Sequence, residues 1–213
     1  MNGEKFRNTF ISIKGILGLI EAKDVAIPEI QRPFVWKNSQ VRDLIDSLYK
    51  GYPTGYIILW KNPNVKLKDG TISSGKKVII DGQQRITALM TAVAAQKVFN
   101  NEFKECRVKI AFNPFAALDY ANGNSEAEIF AVQTPAHLKS KYWIPDISEI
   151  FSTSFSSWTF IPKYIEQNPN MTGEDLQGVL NTLKGIEAIQ MGVIELSENL
   201  DIDVVTDIFI RIN

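Results

Sequence analysis

Apolar residues recur along this chain in two rhythms, one helical and one extended. Between Ser12 and Ala22, Ile13, Ile16, Leu17 and Ile20 fall at the i, i+3, i+4, i+7 spacing of a single helix face. Val25-Ala26-Ile27-Pro28 reads as a short extended piece, because a proline disfavours helical geometry in the residue before it. Asn38 or Ser39 can cap a second helix whose stripe is Val41, Leu44, Ile45 and Leu48. Gly51 ends that helix and Pro53-Thr54-Gly55 turns the chain. The unbroken run Tyr56-Ile57-Ile58-Leu59-Trp60 then predicts a strand covered on both faces.

Residues 61–76, rich in Lys, Asn, Gly and Ser, predict an exposed loop or hairpin tip. Lys77-Val78-Ile79-Ile80 predicts a second buried strand that stops at Asp81-Gly82. From Gln83 to Lys97 the rhythm is helical, with Ile86, Leu89, Met90 and Val93 as its apolar face. Arg107 to Phe112 reads as a strand. Residues 113–170 hold several prolines and many aromatics without a sustained period, and read as short helices and loops packed over the sheet. Thr172 opens a helix through about Gln190, with Asp175 at the reciprocal position of a capping box. Gly192–Leu196 reads as a strand and Asp203–Ile210 as a final short helix. The class is therefore α/β (α+β), a mixed sheet flanked by helices with further helices in the second half. We expect one continuous domain, with a core over 1–112 and an extension over 113–213 that returns to it. The halt in mid-element at Asn213 suggests a fragment of a longer protein.

Composition narrows the function classes. The chain has 213 residues, 45% apolar and 22% charged, enough for a core that needs no staples. One cysteine, Cys106, and no secretory signal fit a reducing cytoplasm. No apolar run approaches the roughly 20 residues of a membrane span. A net charge of −1 argues against nucleic-acid binding by electrostatics alone, although Lys61, Lys66, Lys68, Lys76 and Lys77 cluster around the 61–76 loop. The lone histidine, His137, reads as an exposed loop residue. With a single Cys far from it in sequence, it excludes a zinc site made mostly of His and Cys. Gly-x-x-x-x-Gly-Lys, Gly-x-Ser-x-Gly and His-Glu-x-x-His are all absent, which disfavours P-loop NTPases and the usual hydrolases.

The strongest chemical signal is strand, then Asp81-Gly82-Gln83-Gln84-Arg85, then helix. Ligands of open α/β sheets sit at the carboxyl ends of strands, where a following helix directs the positive end of its dipole. Gly82 permits a tight turn, and Arg85 offers a planar fork that matches phosphate oxygens. Gln83 and Gln84 can orient a ligand or a water, and Asp81 can hold magnesium through water or accept a proton. The pattern equally allows Asp81 to be a plain helix cap and Arg85 a surface ion-pair partner. Gln31-Arg32-Pro33-Phe34-Val35-Trp36 is a second unusual stretch, its Gln-Arg pair stiffened by Pro33. Phe34 and Trp36 fit the core better than a base-stacking role, since aromatics carry much of any core's burial.

Ile27-Pro28-Glu29-Ile30-Gln31-Arg32-Pro33-Phe34-Val35-Trp36, Gln40, Leu44-Ile45-Asp46-Ser47-Leu48, Gly51-Tyr52-Pro53 and Asp81-Gly82-Gln83-Gln84-Arg85-Ile86-Thr87-Ala88-Leu89 stand in an order and spacing that resemble the N-terminal domain of GmrSD-type restriction proteins. Phe209-Ile210-Arg211-Ile212-Asn213 looks like that domain's later Phe-x-x-x-Asn motif. The resemblance implies a ParB/sulfiredoxin-like fold with Asp-Gly-Gln-Gln-Arg at the mouth of its site. It also implies binding and hydrolysis of a nucleoside triphosphate with Mg2+, coupled to restriction of modified or foreign phage DNA. On that resemblance Asp81, Gln84 and Arg85 are catalytic, with Asp81 orienting water or metal and Arg85 on phosphate. Gln83 positions the nucleotide beside Gly82, Gln31 and Arg32 close the opposite wall, and Arg211 and Asn213 border the pocket. DNA would be met through the complete protein, with a nuclease domain or subunit and a homo-oligomer as further expected partners. The alternative is a non-catalytic domain, either a nucleotide sensor or a DNA-binding adaptor.

Overall fold

The computed structural model describes residues 4–27, 33–61 and 76–212. In chain order its elements begin β1 (Phe6–Ser12), α1 (Ile13–Glu21), β2 (Val25–Ala26), α2 (Asn38–Tyr49), β3 (Tyr56–Lys61), β4 (Lys77–Asp81) and α3 (Gln83–Ala92). There follow β5 (Val98–Phe99), β6 (Glu105–Cys106), β7 (Ile110–Phe112), α4 (Pro114–Ala121), β8 (Phe130–Val132), α5 (Pro135–Lys139), α6 (Ser148–Phe151) and α7 (Ser157–Gln167). α8 (Gly173–Gly185), a 3-10 turn (Ile186–Ala188), β9 (Gln190–Leu196) and α9 (Ile202–Ile212) close the series. The fold is α+β, and the chain divides into two compact units that are each discontinuous in sequence. The first takes residues 1–33, 54–86 and 187–213, the second 34–53 and 87–186.

The first unit is built on a mixed five-stranded sheet in the order β1-β9-β3-β4-β2. β9 lies between β1, which it pairs antiparallel from Phe6↔Leu196 to Ser12↔Gln190, and β3, which it pairs parallel from Tyr56↔Gly192 to Trp60↔Leu196. β3 and β4 are antiparallel, and their register shifts between Ile58 and Leu59, so that Ile58 faces Asp81. Such a bulge bends a strand and re-aims its end. All of Ile57, Ile58, Leu59 and Trp60 are buried, as an unbroken apolar run should be in a two-sided strand. On one face Ile58, Trp60 and Leu196 pack with Val205 of α9, joined by Ile80, Ile194, Leu200 and Ile208. α1 starts where its sequence indicates: Ser12 Oγ accepts from Gly15 N at 3.0 Å, and Ile13 and Ile16 are buried.

The second unit has its own core. α2 buries Val41, Leu44, Ile45 and Leu48, and α8 buries Leu176, Val179, Leu180 and Leu183. β7 and β8 form a separate antiparallel pair, in which Phe112 and Phe130 meet the Tyr49 ring. Burial against these rings pushes the Tyr49 hydroxyl up to about 12, with a hydrogen bond to Thr182 opposing the shift. Arg107 and Asp146 form a largely buried ion pair at 2.7 Å, and Ser148 Oγ donates to Asp146 Oδ1 at 2.7 Å.

Several expected boundaries differ. α2 is capped by Lys37 rather than Asn38 or Ser39, with Gln40 Oε1 accepting the Lys37 N–H at 2.9 Å. α3 ends at Ala92 rather than Lys97, and the chain then passes through left-handed Ala95 (φ 56°). The strand expected over Arg107–Phe112 is confined to β7. α8 stops at Gly185 because the chain is drawn into the sheet: Ile13 N donates to Ile189 O at 3.0 Å, and Gln190 pairs with Ser12. β1 carries no strong sequence signal, since most of its residues are exposed. The expected loop falls largely outside the described residues. No helix among the described residues is long and apolar enough to cross a membrane.

Candidate functional site

Asp81 closes β4, Gly82 turns the chain at φ +88°, and α3 begins at once with Gln83. The positive φ is one that glycine adopts without the penalty a Cβ would bring. Ile86 N donates to Gly82 O at 3.0 Å, so the helix winds from the turn itself and directs the positive end of its dipole there. Gln83 is buried, whereas Asp81, Gly82, Gln84 and Arg85 are partly exposed.

Arg85 is held against backbone. Its Nη1 donates to Tyr56 O at 2.8 Å. A Cβ on Gly55 would lie 3.1 Å from Arg85 Nη2, and one on Gly82 would lie 3.4 Å from Nη1. Both glycines have positive φ, +82° at Gly55 and +88° at Gly82. The guanidinium thus rests in a cradle made by two residues that lack side chains. Burial pulls the Arg85 pKa down from its ordinary value, and the nearby Asp81 charge works against that. A partly desolvated cation held in this way could receive an oxyanion with little further ordering.

Gln84 Nε2 donates to Pro33 O at 3.1 Å, across 51 residues of sequence. This bond holds the Asp-Gly-Gln-Gln-Arg turn to the segment that follows Gln31-Arg32. Gln31 and Arg32 themselves lie outside the described residues, as does Asn213. Arg211 is exposed in the last turn of α9, the helix that covers the Ile58 face of the same sheet. Phe34 is buried, its N–H donating to Phe99 O at 3.1 Å, in keeping with a core role. His137 belongs to the short helix α5 rather than a loop; its ring meets Trp143 and its Nδ1 accepts from Thr134 N.

Among the described residues no group of three His, Cys, Asp or Glu is placed to hold a metal ion. Asp81 would offer one carboxylate to magnesium, an ion that keeps several waters and is bound through one or two carboxylates plus substrate phosphates.

A cleft of about 440 Å³ opens at the opposite end of the sheet, lined in part by Phe6, Arg7, Lys61, Lys77, Glu195 and Glu198. Its charges satisfy one another: Arg7 and Lys77 both hold Glu195, and Lys61 pairs with Glu198 at 3.1 Å. It offers a phosphate less than the Arg85 end does. Gly55 and Tyr56 belong to the Arg85 site but carry no motif. The one hint in sequence was the Pro53-Thr54-Gly55 turn, whose glycine serves the arginine as well as the turn.

A family model described as GmrSD restriction endonuclease, N-terminal domain, matches residues 13–213. An uncharacterized protein of Methanocaldococcus jannaschii is 28% identical over 102 residues, which cover 38% of this chain and 17% of that relative's length.

Proposed function

The chain belongs to the family of GmrSD restriction endonuclease N-terminal domains, and on that premise we propose that its Asp81–Arg85 turn binds and hydrolyses a nucleoside triphosphate in support of DNA restriction. The observation that carries the reading is the cradled guanidinium of Arg85, one helical turn from Asp81 and beside the positive end of α3. Phosphoryl transfer asks for positioning and charge stabilisation more than for covalent chemistry.

In this reading Arg85 binds the terminal phosphates, and Gln83 and Gln84 position the nucleotide or the attacking water. Asp81 accepts a hydrogen bond from that water. As the water oxygen bonds to the terminal phosphorus its proton passes to Asp81, the bond to the bridging oxygen breaks, that oxygen leaves with the nucleoside diphosphate, and Arg85 stabilises the charge that develops. Asp81 is the residue that would hold magnesium, which would supply further neutralisation of the phosphate charge when bound. Gln31 and Arg32 are assigned to the facing wall, and Arg211 and Asn213 to the rim. DNA contact and cleavage are assigned to the complete restriction protein and its nuclease.

The test is nucleotide binding and phosphate release with magnesium, using ATP, GTP, CTP and UTP in turn. We expect turnover with at least one of them, reduced about a hundredfold or more in Arg85→Ala. Undiminished turnover in both Asp81→Asn and Arg85→Ala would remove the assignment. Tight binding without turnover would favour the nucleotide-sensing reading instead.

A further inference from the structure

β1 is an outer strand of the five-stranded sheet, and among the described residues no strand pairs with its free edge. The ends of its ladder with β9 give the phase of the backbone bonds. Ser197 N donates to Lys5 O at 2.9 Å, and Ile13 N donates to Ile189 O at 3.0 Å. In an antiparallel ladder such bonded pairs alternate with pairs whose N–H and C=O groups point the other way. The register runs unbroken from Phe6↔Leu196 to Ser12↔Gln190, so the odd-numbered residues of β1 bond β9. Phe6, Asn8, Phe10 and Ser12 therefore turn their backbone groups to the free edge. Proteins usually blunt an edge by keeping it short, or with proline, a bulge or a charge. β2, the opposite outer strand, is only Val25–Ala26. β1 has seven residues with no proline and no bulge, and its one charge, Arg7, is taken up by Glu195. Phe6 and Phe10 are 53% and 69% exposed along it.

We propose that β1 pairs antiparallel with β1 of a second copy of this chain, about a two-fold axis through Asn8. Outward-facing residues must meet outward-facing residues, which leaves few registers. With Asn8 opposite Asn8, Phe6 of each copy lies across from Phe10 of the other, and aromatic pairs directly opposite one another are favourable. Arg7 then faces Thr9. Sliding the register one allowed step sets Arg7 against Arg7, a like-charge pair. One step the other way sets Phe6 opposite Ser12 and Phe10 opposite Asn8. The spacing of the two phenylalanines is thus self-complementary in one register, which is why the occupant is this same strand. The exposed parts of Phe6 and Phe10 from both copies amount to roughly 500 Å². With the strand backbones the contact stays below the roughly 1,200 Å² of a stable interface, so the dimer is weak, with a dissociation constant on the order of 10–100 μM. β9 and β3 separate this edge from β4, so the Asp81–Arg85 turn lies outside the paired edge.

Sedimentation equilibrium of the intact chain from about 5 to about 500 μM tests the pairing, and the parent should pass from monomer to dimer over that range. Phe10→Lys sets a charge across from Phe6 at both symmetric places and should weaken association about tenfold or more. Asn8→Pro removes an N–H that faces away from β9, so it should weaken association as much while the β1–β9 ladder stays whole. Circular dichroism identical to the parent's shows that each variant is folded. The register is read without altering either phenylalanine, by Asn8→Cys in a Cys106→Ser background. Mild oxidation should join two copies through residue 8, where directly opposed Cα atoms stand about 5.5 Å apart. Lys14→Cys in the same background, exposed on α1 and away from the two-fold axis, should not be joined. A parent that stays monomeric up to about 500 μM would overturn the proposal. So would a dimer that folded Phe10→Lys or Asn8→Pro leaves intact, or one whose Asn8→Cys copies are not joined.

Discussion

Replacing Gly55 with alanine asks whether the cradle around Arg85 is what holds the site. Gly55 sits at φ +82°, a left-handed geometry that costs an L-residue about 1–2 kcal/mol. The added Cβ would also stand 3.1 Å from Arg85 Nη2 and 3.5 Å from Cζ, so the guanidinium must retreat by a few tenths of an ångström. That strains the 2.8 Å bond to Tyr56 O. A hydrogen bond from a charged donor contributes about 1.5–3 kcal/mol, and a partial loss at a half-exposed site is about 0.5–1 kcal/mol. Gly51→Ala is the matched control: Gly51 has φ +72°, and its Cβ would meet nothing within 4 Å. Urea denaturation of both variants should show a loss of about 1–2 kcal/mol for Gly51→Ala and about 2 kcal/mol for Gly55→Ala. Titration with tripolyphosphate discriminates more sharply. Gly55→Ala should bind about two- to fivefold more weakly, and Gly51→Ala as the parent does. Equal affinities in the two variants would refute the cradle.

Two further outcomes follow from other parts of the molecule. Burial raises the Glu195 carboxyl pKa, but hydrogen bonds and charge from Lys77 and Arg7 overcome that and leave it below its ordinary value. Its stabilising contribution is therefore complete above the unfolded carboxyl pKa and is lost as pH falls through the lower folded value. Glu195→Gln should cost on the order of 1 kcal/mol at neutral pH, screened because Arg7 is well exposed, and its deficit should shrink in acid; a deficit that does not change with pH would contradict this. In the second unit, Asp146→Ala would leave Arg107 without its 2.7 Å carboxylate partner, and removing one member of a buried pair costs about 3–5 kcal/mol. Arg107 retains some solvent access, so denaturation should report about 3 kcal/mol, and a loss under 1 kcal/mol would mean that the pair is screened.

Sequence alone was enough where the determinant is local. The stripes of α1 and α2, the two-sided burial of β3 and the turn from Asp81 through Gly82 into α3 all follow from the spacing of neighbouring residues. The Thr172 cap forms as its spacing implies, with Thr172 Oγ1 accepting from Asp175 N at 3.1 Å and donating to Asp175 Oδ2. Long-range pairing was not legible. β1 shows little alternation because it lies at a sheet edge, and what makes it a strand is β9, whose Leu196 faces Phe6 across the whole length of the chain. The same pairing draws Gln190 out of the helical rhythm that precedes it. At the candidate site, sequence could name Arg85 but not what holds it. Gly55, Gly82 and the carbonyl of Tyr56 surround it because antiparallel β3 and β4 bring the start of one strand to the end of the other. A glycine's role there is the absence of a side chain at a particular place in space. No residue pattern along one dimension encodes that, and only the packed sheet decides it.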